Sequence, residues 1–418
     1  MRVTTAFNKM LGITGACVAG VEFTPYAIVV ELRRRPHKLR CACGYATWGA
    51  YDHRVRRWRH LDLAGRRLFL VAPVARLECL RCRKVVYETV PWARTGAYHS
   101  RDFQDLVGWL AQHTDRTSVC KLLRCSWEAV ARMVRDAVAE HLDGTRLAAL
   151  YRIGVDEVSY RRDQGFLTLV ADHDHGGAVV WVGDGRSSAT LERFYDELGP
   201  ERCATLEAVS LDMGKAYKTA TDAKAAAAAQ CVDPFHVVKL ANGAVDEVRR
   251  QVWNLTRHAE GSRTGRGRTA KGSKARHVKR TRWALVKDPD TLSEPQWELL
   301  DELRRGRSVL YRAWQLKEGV RDLYRVGPAG AAAHFEWWLA WACRSRIPAF
   351  VRLSRTLRAN KARILAAIEL GLSNSRLEGL NSKVRLINHR GYGHHSAETL
   401  AAMIYLCCGG VTIELPLH

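Results

Sequence analysis

Acidic side chains are scarce in this sequence: Asp and Glu number 43 against 66 Lys and Arg, a formal net charge of +23. A surplus of that size favours a polyanionic partner, with nucleic acid first and a membrane surface second. The basic residues do not gather on one apolar-backed helix, which argues against the membrane. Long apolar runs are also missing. No stretch reaches the ~18 residues of a transmembrane helix, and polar residues interrupt the mildly apolar start "MRVTTAFNKMLGITGACVAGVEF" before a signal-peptide core forms. The 12 cysteines show no even framework of spacings, so a reducing compartment is expected. HExxH, GxxxxGK[ST] and GxSxG do not occur, which argues against a zinc protease, a P-loop ATPase and a serine hydrolase. What is present suffices for folding: 47% of 418 residues are hydrophobic, enough for the cores of two or three domains.

Residues 1–95 read as short strands between turns. Two close cysteine pairs, Cys41-Ala-Cys43 and Cys79-Leu-Arg-Cys82, bracket the middle of this segment. Four thiolates on separate turns suit a structural Zn2+ and leave no open position for catalysis. The alternative is four reduced structural thiols. Residues 101–142 fit three amphipathic helices. Their apolar stripes are Phe103, Leu106, Val107 and Leu110, then Val119, Leu122 and Leu123, then Val130, Met133, Val134 and Ala137. Arg124-Cys125-Ser126 is the turn before the third helix, with Ser126 as its N-cap. This is the outline of a helix-turn-helix, the alternative being a plain helical hairpin. Arg124, Ser126, Trp127 and Arg132 are its candidate DNA contacts. A second set, Arg266, Arg268, Lys271 and Lys274, lies in 261–287, a stretch without an acid that reads as a flexible basic loop.

From residue 151 the pattern changes to strands: "RIGVDEVSY", "FLTLVADH" and "AVVWVGDG", then helix, strand, helix, strand, helix. The order β-β-β-α-β-α-β-α is that of the ribonuclease H-like nuclease fold. In such a sheet Asp156 on the first strand and Asp212 at the end of the fourth meet at one edge. Glu378 lies on a later helix, in "SNSRLEGLNSKVRLI", where Asn374, Glu378 and Asn381 share one face. Converging carboxylates repel each other and call for hard cations, Mg2+ or Mn2+. Asp233 and His236, in "VDPFHVVKL", are candidates for site support alongside Asn374, Asn381 and Lys383. The alternative for Asp233 is a helix cap before Pro234. "ADHDHGG" reads as a hairpin turn in preference to a metal cluster. Glu157 alternates to the sheet face opposite Asp156.

Taken in order, "CAC…CLRC", the helix-turn-helix, "GVDEVSY", "LDMGKAY", "DPFHVVKL" and "SNSRLEGLNSKVRLINHRGYG" resemble the DDE transposases of bacterial insertion sequences, most closely the ISL3 family. The resemblance spans residues 41 to about 393. It implies a ribonuclease H-like (retroviral integrase-like) core with an all-helical insertion before the catalytic Glu, and an acidic triad at Asp156, Asp212 and Glu378. It also implies a two-metal site, binding to terminal inverted repeats and target DNA, and at least a dimer on DNA in the bacterial cytoplasm. In one departure from the family's pattern, Gly214 and Lys215 follow Met213 where an aromatic residue is usual.

The expected domains are a zinc module (1–95), the helix-turn-helix (101–142), the first part of the core (151–250), the basic loop and helical insertion (251–370), and a last core segment (371–418). Two rival functions remain at this level: a DNA-binding regulator on an inactive nuclease scaffold, and a stand-alone structure-selective nuclease.

Overall fold

A computed structural model describes residues 2–161, 165–260, 273–373, 375–391, 394 and 396–415. The chain divides into two compact units, Met1–Asp143 with Leu386–His418, and Gly144–Arg385.

The first unit begins with a helix, α1 (Val3–Leu11), where strands and turns were expected. Strands β1 (Cys17–Phe23), β2 (Ala27–Arg33), β3 (Leu39–Arg40), β4 (Ala46–Thr47), β5 (Asp52–Leu63), β6 (Arg66–Cys79) and β7 (Lys84–Tyr87) follow. One sheet runs β1-β2-β6-β5, with β7 paired to the far end of β6. Leu68, Leu70, Ala72 and Val74 alternate along β6 and bury against Trp58 and Trp92. The short β3–β4 pair carries the first cysteines. Next come α2 (Arg101–His113), α3 (Arg116–Leu123) and α4 (Trp127–His141). Their expected stripes bury Phe103, Val107, Val119, Leu123, Val130, Met133, Val134 and Ala137 together, but Leu122 is 65% exposed. An eight-residue helix turns only two of the three apolar positions inward.

The second unit is built on the sheet β10-β9-β8-β11-β12. Its strands are β8 (Arg152–Arg161), β9 (Gly165–Asp172), β10 (Val179–Asp184), β11 (Ala208–Leu211) and β12 (Ala229–Val232). The first three are antiparallel; β8, β11 and β12 are parallel. Helices α5 (Ser188–Leu198), α6 (Pro200–Ala204) and α7 (Lys215–Lys224) lie between β10 and β12 in sequence. One sheet face packs Ile153, Val155, Val209 and Leu211 against Leu191, Phe194 and Ala220. Helix α7 stops at Lys224 and not at the end of the alanine run, because Ala225 leaves helical geometry to turn the chain into β12. Helix propensity yields there to the tertiary connection.

Helix α8 (Pro234–Ala259) leads into α9 (Lys274–Arg280), α10 (Arg282–Val286), α11 (Glu294–Arg305), α12 (Val309–Asp322), α13 (Gly327–Arg344), α14 (Pro348–Ala359) and α15 (Lys361–Glu369). Phe335, Trp338, Leu339 and Phe350 anchor their common core. The expectation of a basic loop through 287 fails from Lys274 onward. Ala275, Val278, Ala284 and Leu285 are buried in that core, an apolar stripe that the surrounding cations disguise. Ala367 and Leu372, on and just after α15, pack on Ala208 of β11 and Cys231 of β12. Helix α16 (Ser375–Arg390) carries Glu378.

The last helix, α17 (Ala397–Cys408), corrects the expected grouping of 371–418 with the core. Ala402, Leu406, Val411 and Ile413 complete the hydrophobic cluster of α2, α3 and α4. Gln112 donates from Nε2 to the carbonyls of Leu406 (2.7 Å) and Val411 (3.1 Å). A local sequence pattern does not reveal so distant a packing partner.

Candidate active site and metal centres

The acids of the second unit owe their placement to strand register. Ala208 on β11 pairs with Arg152 on β8 and with Ala229 on β12. Continued to the carboxyl ends of these strands, that register sets Asp156, Asp212 and Asp233 level on three parallel neighbours. Adjacent strands lie about 4.8 Å apart, so the row sets Asp156 on β8 beside Asp212 and Asp233, each one residue past the end of its own strand. Alternation sends Glu157 to the other face, where it lies 3.7 Å from Arg186.

Asp156 is held from two sides. Its Oδ1 accepts from the Glu157 N–H at 2.7 Å, and its Oδ2 accepts from Asn381 Nδ2 at 2.5 Å. Asn381 is itself buried on α16, one turn beyond Glu378, and its Oδ1 has no partner among the described residues. Asp212 follows the end of β11; its Oδ1 accepts from the Gly214 N–H at 2.8 Å. Asp233 caps α8, accepting from the Phe235 N–H at 3.3 Å, and lies 3.9 Å from His236 Nε2. Lys383 is exposed on α16.

Charge in this region is strained. Burial raises the Asp156 carboxyl above its ordinary range; the bonds from Glu157 and Asn381 lower it, and Asp233 raises it. Burial also raises Glu378, with Asp233 and Asp156 adding repulsion while His236 and Lys239 oppose it. Glu157 is raised by burial, relieved by Arg186 and pushed further by Asp212 and Asp156. Mutually repelling, oxygen-only donors fit a hard divalent cation. The carboxylates of Asp156, Asp212 and Glu378 do not all approach within 4.8 Å of one another, whereas the thiols of Cys41, Cys43, Cys79 and Cys82 do.

In that thiol cluster Cys41 Sγ lies 3.8 Å from Cys82 Sγ, and Cys43 Sγ lies 3.5 Å from Cys79 Sγ. A tetrahedron with Zn–S bonds of about 2.3 Å requires edges of about 3.8 Å. None of the four is in a disulfide. The Cys82 N–H donates to Cys79 Sγ at 3.2 Å, the kind of bond that steadies a thiolate ligand. The cluster fits zinc.

The expected nucleic-acid residues divide. Ser126 caps α4, accepting from the Ala129 N–H at 3.2 Å. Arg132 is exposed on α4, and Trp127 lies under the Arg116 guanidinium, 5.3 Å from it. Arg124 is exposed and already has partners within the protein. Its backbone sits in the left-handed region at φ 52°, and its guanidinium is committed to Asp62 and to the Gly65 carbonyl. That makes it a turn residue tied to the β5–β6 connection. Lys274 is exposed at the start of α9, while Arg266, Arg268, Lys271 and Asn374 lie outside the described residues. "ADHDHGG" forms the β9–β10 turn, in which Asp174 pairs with Arg152 and Asp172 with His175. One residue next to the acids escaped sequence reasoning altogether: Arg363, which donates to the Asp212 carbonyl at 2.9 Å.

Residues 153–404 match the sequence model of a family described as transposase, the DDE class of ISL3, and this span includes all three acids. Residues 88–138 match the helix-turn-helix domain of transposase family ISL3. The chain belongs to the ISL3 family of transposases. Among curated relatives of this ISL3 transposase, the transposase for insertion sequence element IS1557 of Mycobacterium tuberculosis is 36% identical over 438 residues, covering 100% of this chain and 98% of its own. The transposase for insertion sequence element IS1001 of Bordetella parapertussis is 26% identical over 358 residues, covering 85% of each. The Drosophila P element transposase strand transfer complex is similar at 10% identity, covering 75% of this chain and 93% of its own with a TM-score of 0.37. No helix among the described residues is long and apolar enough to cross a membrane.

Proposed function

We propose that this ISL3 transposase cuts and joins DNA at a site formed by Asp156, Asp212 and Glu378 on a ribonuclease H-like core. The observation that carries this reading is twofold: the parallel register of β8 and β11, carried two residues past its last pair Ser210–Gly154, sets Asp212 level with Asp156, and the helix that bears Glu378 also supplies the amide holding Asp156. Strand order 3-2-1-4-5, with helices following the third and fourth strands, supports the fold assignment.

Asp156, Asp212 and Glu378 would hold two Mg2+ or Mn2+ ions. When bound, such ions supply Lewis-acid polarisation of a scissile phosphate and activation of a water or a 3′-OH. The protein's own contribution is placement. Asn381 and the Glu157 N–H fix the Asp156 carboxylate, and the Gly214 N–H fixes that of Asp212. His236 and Lys239 offset the negative charge around Glu378, which eases the approach of a phosphodiester. The reaction is hydrolysis at an element end, exposing a 3′-OH, followed by attack of that 3′-OH on a target phosphate. No covalent protein intermediate is required.

The zinc module and the helices α2–α4 would bind the terminal inverted repeats. The exposed Arg132 and the basic segment from 261 would follow the phosphates, so binding should weaken steeply with salt. Two ends cut together call for at least a dimer on DNA.

The test is a plasmid carrying both element ends, incubated with protein and either Mg2+ or EDTA. Wild type should cut at the repeats only with Mg2+, and Glu378→Gln should bind ends without cutting. Binding without cleavage by wild type in Mg2+ and in Mn2+ would favour the regulator; cleavage of single ends as fast as paired ends would favour a stand-alone nuclease.

A further inference from the structure

We infer that Arg363 is a positioning residue that sets Asp212 relative to the helix bearing Glu378; this rests on the reading of Asp212 as a metal-holding acid. Arg363 sits on the first turn of α15, the helix that immediately precedes α16. Its side chain is buried, with 9% of the residue exposed. Nη2 donates to the main-chain carbonyl of Asp212 at 2.9 Å, and Nη1 donates to Asn360 Oδ1 at 3.0 Å. Nε has no partner among the described residues.

A buried guanidinium is costly and persists where geometry repays it. The benefit is a fixed frame. The Asp212 carboxylate is oriented by its own backbone, through the Gly214 N–H two residues on. Pinning the Asp212 carbonyl therefore pins the carboxylate as well. At the other end of α15, Ala367 and the following Leu372 lie on Ala208 and Cys231, so the helix is clamped to β11 and β12 while its first turn grips Asp212. A short connection then leads into α16 and Glu378. Arg363 thus ties the segment that delivers the third acid to the backbone of the second. Nothing in its local sequence, "ANKARIL", distinguishes it from the other cations of a basic chain.

The experiment measures Mn2+ binding to the zinc-loaded full chain without DNA, from the electron paramagnetic resonance signal of free Mn2+. Asp212→Asn supplies the baseline for loss of the site. Arg363→Met should raise the Mn2+ Kd by about 10- to 100-fold, the usual cost of losing a partner behind a metal ligand. Arg363→Lys keeps one donor and should fall between Met and wild type. Binding to element ends, read by fluorescence anisotropy, should stay unchanged in both variants. Removal of a cation without any loss of positioning would leave the Mn2+ Kd unchanged or tighten it, and either result for Arg363→Met overturns the inference. If Arg363→Met does not fold, Arg363→Lys decides: weaker Mn2+ binding supports the role and wild-type binding refutes it. Wild-type Mn2+ affinity in Asp212→Asn would instead remove the reading of Asp212 itself.

Discussion

Substitution of Asn381 by Ala should disable the candidate site without touching any acid. The Asp156 carboxylate accepts from two N–H groups, the Glu157 backbone at 2.7 Å and Asn381 Nδ2 at 2.5 Å. A hydrogen bond to a charged group is worth about 1.5–3 kcal/mol, which is roughly 10- to 100-fold in an equilibrium constant. Burial already raises the Asp156 carboxyl, and the Asn381 bond is one of the two hydrogen bonds that lower it. Without that bond the ionised form is less stable, protons compete better with metal, and the loss grows as pH falls. Asn381→Ala should therefore weaken Mn2+ binding by about 10-fold or more at pH 8 and by a larger factor at pH 6, with plasmid cleavage following the same trend. End binding should be preserved. The assay is Mn2+ titration at the two pH values, in parallel with cleavage at matched metal occupancy. Equal Mn2+ affinity in mutant and wild type at both pH values would refute the claim that this amide holds Asp156 for metal. A uniform loss independent of pH would refute the electrostatic part of the reasoning.

Wild-type protein should carry zinc, measured by atomic absorption, and Cys79→Ser should lose it and weaken end binding; zinc absent from wild type, or retained by the mutant, would show that the four thiols are not zinc ligands. Glu378→Gln should raise the Tm of the metal-free protein at neutral pH, because burial and the neighbouring Asp233 and Asp156 raise the Glu378 carboxyl in the folded state. A group raised in this way favours folding only at low pH and loses that contribution as pH rises through its folded value, so the mutant's advantage should shrink as pH falls toward about 4. Added Mn2+ should raise the wild-type Tm more than that of the mutant, and a uniform offset at every pH would contradict the electrostatic origin.

The two strand acids were legible because each follows an apolar run, "RIGV" and "EAVSL", that reads as a strand and ends in a carboxylate. The i, i+3 relation of Glu378 and Asn381 gave their shared face, though not the partner of the amide. The Ser126 cap was legible because a local rule governs it. Other features were not. Arg363 is one cation among many, and only tertiary packing singles it out. The pairing of Arg124 with Asp62, 62 residues earlier, is likewise invisible to local pattern. Helices α9 and α10 hide a buried stripe under basic residues, and the alanine run after α7 advertises a helix that the turn into β12 forbids.

The packing of α17 has a consequence for the order of synthesis. The cluster around Phe103, Val107 and Val134 is completed by Ala402, Leu406 and Ile413, and Gly108 leaves room for the Ile413 side chain, whose Cδ1 would lie 2.5 Å from any added Cβ. A ribosome that has released residues 101–142 must therefore translate the whole second unit before the first can close, a delay on the order of tens of seconds. During that interval the nascent helices lack part of their core. A frameshift or stop anywhere in the second unit would yield a chain poorly able to hold α2–α4 in shape, so truncated products should compete little for element ends.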